Sequence, residues 1–148
     1  MKKGEFQKVG KSEERMYGPR KLLVCGYVVE DQVPFLSFLE TLGFKDLPVV
    51  FVTEKDIQLS LETLLNRGNN EGFGEASNMT RAVILSGFTQ NDLHKLISGY
   101  RQYQLPRQLW ATLTPISEKW PIAELLEELS KEAQAMKKLR KTKEDQGA

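Results

Sequence analysis

Few side chains in this 148-residue chain have the chemistry to act as catalysts or ligands. The one cysteine, Cys25, ends an apolar run, where a thiol behaves as a small hydrophobe. The one histidine, His94, has no Cys, His or acid at ligand spacing except Asp92, so it reads as an exposed surface group. The phosphate-cradling patterns GxGxxG and GxxxxGK[ST] are absent. Asn69, Gly72 and Gly74 fall in a glycine-rich stretch that lacks the lysine and the strand-before, helix-after context. Two glycine turns remain, Gly26-Tyr27 and Gly87-Phe88, together with Thr53 and Thr89 at helix starts. Such a glycine either serves a turn at positive φ or lets a ligand approach the backbone. A threonine cap can satisfy a backbone N–H or a phosphate oxygen. Arg101, after Tyr100, is a candidate anion partner, and Trp110 and Trp120 are large enough to anchor a core or an interface. No acid, base and nucleophile are grouped, so the sequence points to binding and calls for no metal or cofactor.

The elements that must position these residues are clearest between Arg81 and Glu132. Ala82 to Leu85 is a short apolar run ended by Ser86-Gly87, which suits a buried strand. Thr89, with Asp92 three residues on, caps a helix carrying Leu93, Leu96, Ile97 and Tyr100 on one face. Pro106 closes that region, Leu109 to Leu113 is a second strand, and Thr114-Pro115 ends it. A last helix starts near Trp120-Pro121 with Ile122, Leu125, Leu126, Leu129, Ala133 and Met136 on one face. Its glutamates lie early and its lysines late, in accord with the helix dipole.

The first half repeats the pattern. Leu22 to Val24 is a strand ended by Cys25-Gly26-Tyr27. Asp31 or a neighbour caps a helix with Pro34 in its first turn, Phe35, Leu36, Leu39 and Leu42 inward, and Gly43 past its end. Val49 to Val52 is a strand buried on both faces. Thr53 and Asp56 open a helix with Ile57, Leu61, Leu64 and Leu65 inward. Residues 67–80, rich in Gly and Asn, read as a flexible linker between halves 21–66 and 81–138 of a single domain. Residues 1–20 read as a disordered basic arm and 139–148 as a disordered tail.

Sliding residues 22–65 onto 83–126, a constant shift of 61, needs no gap and gives six identities in 44 pairs. Composition alone yields roughly three, so the coincidence of every strand, glycine turn, helix and threonine boundary carries the inference that a βαβα unit is used twice. The expected fold class is α/β, a tandem βαβα repeat forming a four-stranded, mainly parallel sheet of order 2-1-3-4 with helices on both faces. Parallel joining of the halves sends the helices of one half to one face and those of the other half to the opposite face. Gly26 and Gly87 then flank one switch-point crevice, where Tyr27, Phe88, Thr89 and Arg101 complete a candidate small-anion site; an antiparallel contact between the halves would satisfy the same repeat and abolish that crevice.

The run Ser86-Gly87-Phe88, the capped helix ending in Tyr100-Arg101, Ala111-Thr112-Leu113-Thr114-Pro115, Trp120 and Glu124-Leu125-Leu126-Glu127-Glu128-Leu129 resembles a family catalogued as domain of unknown function 3783. That resemblance implies a bacterial cytoplasmic α/β protein and supplies no activity.

Charge and hydropathy narrow the classes further. The chain carries +1 overall, but residues 1–21 hold +4 and residues 131–148 hold +3, leaving the body at −6. An acidic body makes nucleic acid an unlikely partner. No stretch has the length and apolarity of a membrane span, and a single cysteine suits a reducing, cytoplasmic setting. The leading expectation is a non-catalytic regulatory or protein-interaction module, binding a partner or itself through a sheet edge or the Trp110 and Trp120 surfaces. The alternative is a small-anion or nucleotide-derivative binder at the paired glycine turns.

Overall fold

A computed structural model describes residues 14–103 and 105–147, with side chains as far as residue 140. Strands β1 (Lys21–Cys25), β2 (Val49–Val52), β3 (Ala82–Ser86) and β4 (Leu109–Thr112) form one sheet in the order β2-β1-β3-β4. Helix α1 (Val29–Thr41) links β1 to β2, and α2 (Leu61–Leu65) follows β2. Helix α3 (Gln90–Gln102) links β3 to β4, and α4 (Ile122–Gly147) ends the described chain. The expected strand order, the α/β class and the two-faced cover of helices are all present.

The sheet is mainly parallel, as expected, but the two halves join in the antiparallel sense that abolishes a shared crevice. β1 pairs parallel with β2 and β3 parallel with β4, but β1 and β3 are antiparallel, with Leu23 opposite Ile84. The shift of 61 relates Leu23 to Ile84, so the central pair is a residue facing its own counterpart. The same shift carries Leu22↔Val49 onto Val83↔Trp110 and the whole β1–β2 register onto that of β3–β4. The halves are therefore related by a pseudo-twofold axis normal to the sheet. A second point on that axis lies beneath, where Ser60 and Pro121, again counterparts, form an isolated bridge. There the Leu61 N–H donates to the Trp120 carbonyl at 3.1 Å and the Ile122 N–H to the Leu59 carbonyl at 2.9 Å.

Reversing one half also changes which faces the helices cover. A twofold normal to the sheet keeps each element on its own face, so α1 and α3 share one side and α2 and α4 the other. The core divides accordingly. Leu22, Val24, Val83 and Leu85 pack with Phe35, Phe38, Leu96 and Tyr100 on one face, and Leu23, Val50, Ile84 and Ile122 with Leu64 and Leu125 on the other. Where α1 crosses α3, Phe38 and Gly99 are counterparts. A Cβ on Gly99 would meet Leu42 at 2.9 Å, so the small residue lets the helices approach while the large one fills the space.

Some local expectations also change. Val28, not Asp31, is the N-cap of α1, and Asp31 stands in its first turn. Thr53 and Asp56 do form a capping box, but it closes only a 3₁₀ turn, Glu54–Asp56, and α2 starts afresh at Ser60. In the expected basic arm, residues 1–13 lie outside the described residues. Residues 14–20 strap the end of β3: the Met16 N–H donates to the Phe88 carbonyl and the Gly87 N–H to the Tyr17 carbonyl. At the other terminus α4 continues past residue 138 to Gly147, where a disordered tail was expected.

Gly26 (φ +77°) and Gly87 (φ +69°) occupy equivalent turns against backbone. A Cβ on Gly26 would fall 2.8 Å from the Arg81 Cα, and one on Gly87 2.7 Å from the Arg20 nitrogen. Gly26→Ala and Gly87→Ala should each lower unfolding free energy by about 2 kcal/mol or more in urea titrations. Gly68→Ala, with nothing within 4 Å of its Cβ, should change it by less than about 0.5 kcal/mol.

Candidate functional site: the open β4 edge

Strand β4 is the outer strand of the second half, and all four of its residues are only half-buried, whereas β2, its counterpart, is fully buried. Leu109 and Leu113 donate their N–H groups inward, to the Arg81 and Leu85 carbonyls. Alternation then turns the N–H and C=O groups of Trp110 and Thr112 outward. A cavity of about 490 Å³ wraps this edge. Leu93 and Ile97 of α3 form one wall, Leu125, Glu128, Leu129 and Glu132 of α4 the other, and Trp110 and Trp120 both line it. The Trp110 ring is held edge-on by Tyr100 at 5.3 Å.

The counterpart edge shows what an occupied site looks like here. Val49 and Phe51 correspond to Trp110 and Thr112, and their outward groups are bonded by residues 69–71. Asn69 Oδ1 accepts from the Val49 N–H at 2.9 Å, the Asn70 N–H donates to the Val49 carbonyl at 2.7 Å, and the Phe51 N–H donates to the Glu71 carbonyl at 2.9 Å. Phe73 then packs on Phe51 with ring centroids 5.7 Å apart. The stretch expected to be a flexible linker is thus the cover of one sheet edge. Gln32 pins it further, its Oε1 accepting from the Gly74 N–H at 2.7 Å and its Nε2 donating to the Glu75 carbonyl at 2.8 Å.

The residues named for an anion site are not brought together. Antiparallel joining puts Gly26 beside Arg81 and Gly87 beside Arg20, six residue steps or roughly 20 Å apart along the strands. No crevice is shared between them. Tyr27 and Phe88 are buried beneath those turns. Thr89 Oγ1 accepts from the Asp92 N–H at 3.1 Å as a helix cap. Arg101 is exposed on the last turn of α3. Of the named residues, Trp110 and Trp120 do converge, on the β4 groove.

Each turn is locked by a polar cluster that the reading of motifs missed. Arg81 stacks on Tyr27, 3.7 Å from the ring centroid, and pairs with Asp31 at 2.9 Å. Its Nη2 also donates to the Tyr100 hydroxyl at 3.2 Å, which donates in turn to the Pro106 carbonyl. At the related position Arg20 lies 5.6 Å from the Phe88 centroid and 3.4 Å from Asp92. Arg20 and Arg81 obey the shift of 61 but fall just outside residues 22–65 and 83–126; carrying the alignment two residues further exposes them. Burial alone would lower the Arg81 pKa, but Tyr27, Tyr100 and Asp31 together hold it above the ordinary arginine value. Burial pushes the Tyr27 phenol and the Cys25 thiol far up, so neither ionises near neutral pH. Among the described residues no group of three or more His, Cys, Asp and Glu is placed to hold a metal ion, and no helix is long and apolar enough to cross a membrane.

With this geometry in place, the resemblance read from the sequence is confirmed by comparison. Residues 81–136 match the family described as Domain of unknown function (DUF3783). The matched segment runs from the start of β3 into α4, so it spans the second βαβα unit and includes every residue lining the groove. No curated protein and no solved structure matches the chain.

Two measurements test the polar clusters. Arg81 is the more enclosed arginine, its side chain 15% exposed against 36% for Arg20. Arg81→Leu should therefore cost about 2–3 kcal/mol in urea unfolding and Arg20→Leu less than about 1 kcal/mol. Asp56 behaves as a lowered acid. Burial raises its pKa, but the Arg67 guanidinium at 2.9 Å and the Thr53 N–H at 3.1 Å outweigh that and hold the carboxyl below its usual range. Its contribution is complete above the ordinary carboxylate pKa and is lost as pH falls through the lowered folded value. The stability difference between the natural protein and Asp56→Asn, about 1–3 kcal/mol at pH 7, should shrink on acidification below about pH 4.

Proposed function

We propose that this protein is a non-catalytic interaction module, regulatory in role, that captures a protein partner on its open β4 edge. One observation carries the reading: two strands related by the internal twofold present the same outward backbone groups, and among the described residues those of β2 are covered and those of β4 are not. An uncovered edge is a template for another strand, and folds ordinarily blunt such edges with charge, proline or an overlying segment. Here the α3 flank is lined by Leu93 and Ile97, the α4 flank mixes Leu125 and Leu129 with Glu128 and Glu132, and the groove holds two tryptophans, the residue type that anchors interfaces. The site has the parts that strand addition uses, main-chain groups for affinity and pockets on alternate sides for selectivity. The family resemblance favours a bacterial cytoplasmic setting, and a lone, buried Cys25 is compatible with it.

Thr112→Pro provides the test, because it removes an outward N–H while leaving the ladder to β3 intact. A photoreactive residue at Thr114, on the groove, should crosslink in cells to a discrete partner, and Thr112→Pro in the same chain should abolish that product. The same probe at Val33, exposed on α1, should give no such product. A partner crosslinked equally from Val33, or a Thr114 product indifferent to Thr112→Pro, would contradict a β4 docking edge.

A further inference from the structure

The chemistry of the two groove walls specifies the occupant more closely, an inference that rests on β4 being the docking edge. A strand laid beside β4 sends alternate side chains to opposite faces of the sheet. On one face they meet Leu93 and Ile97, the α3 residues that line the cavity, and neither is charged. On the other they meet α4, where the carboxylates of Glu128 and Glu132 lie one turn apart along the groove. Among the described ion pairs the only cation near either carboxylate is Lys131, 3.7 Å from Glu128 on an exposed surface. A carboxylate pair beside an apolar slot accepts a long cationic side chain whose methylenes cover the wall and whose head reaches the acids. We propose that β4 receives an extended segment of a partner protein in which apolar or aromatic residues alternate with lysine or arginine. The apolar set faces α3, the basic set faces Glu128 and Glu132, and the backbone of the segment bonds Trp110 and Thr112 as residues 69–71 bond Val49 and Phe51.

The test titrates the full chain, followed by amide NMR at low salt, with two capped hexapeptides. One alternates valine and phenylalanine with lysine, and the other has glutamate in place of each lysine. The lysine peptide should shift the Trp110, Ala111 and Thr112 amides and bind at least about threefold more tightly than its glutamate counterpart, a preference that salt erodes. Glu128→Gln combined with Glu132→Gln should remove most of that preference without altering the spectrum of the free protein elsewhere. Equal binding of both peptides at β4 would keep the docking edge and overturn the basic partner. Shifts confined to another surface, or none from either peptide, would overturn both readings. A doubled mass without peptide, with β4 amides protected, would assign the edge to a second copy and overturn a partner segment.

Discussion

The antiparallel pairing of β1 with β3, centred on Leu23 opposite Ile84, is the contact on which the rest of the molecule depends. It sets two βαβα units head to tail around a pseudo-twofold axis normal to the sheet. From that one relation follow the sharing of a face by α1 and α3, the bridge between Ser60 and Pro121, and the placement of Gly26 and Gly87 at opposite ends of the sheet. Residues on both faces of these central strands are fully buried, so the pairing lies in the driest part of the core, where unmade backbone hydrogen bonds cost most.

The symmetry is local chemistry as well as outline. Each glycine turn is closed by the segment entering the other unit's first strand, and each entering arginine, Arg20 or Arg81, lies over the aromatic residue behind the turn and pairs with an aspartate in the first helical turn. Each unit thus clamps the other, which argues that neither turn was left open for a ligand. Asp92 and Asp31, spaced like capping residues in the sequence, are engaged across the twofold by these arginines.

Much of this was legible in the residues, and the exceptions have physical reasons. Strand order followed from short apolar runs separated by capped helices, and the bounds of α1 and α3 obey the same shift of 61 that aligned the halves. The direction of joining was hidden. Leu22-Leu23-Val24 and Val83-Ile84-Leu85 are apolar at every position, and a strand buried on both faces reads alike in either direction. The break before α2 was missed because a real capping box at Thr53 and Asp56 closes a single 3₁₀ turn. The linker was misread because glycine and asparagine reveal where a chain turns, not what its backbone groups then bond. Trp110 and Trp120 were picked out by size, but the groove they line depends on a difference beyond the aligned residues. After Leu65 the chain leaves its helix and returns along β2, whereas after Leu126 the helix runs on and no described residue bonds the outer side of β4.

Amide hydrogen exchange distinguishes a symmetric scaffold with one edge closed and its counterpart open from one with both edges covered. Residue-resolved exchange on the full chain compares Val49 and Phe51 with their counterparts Trp110 and Thr112. The bonded β2 amides should be strongly protected, exchanging only through opening of the fold, while Trp110 and Thr112 should exchange orders of magnitude faster beside well-protected Ala111. Equal protection at all four positions would mean that β4 is already covered, and the open edge would have to be abandoned.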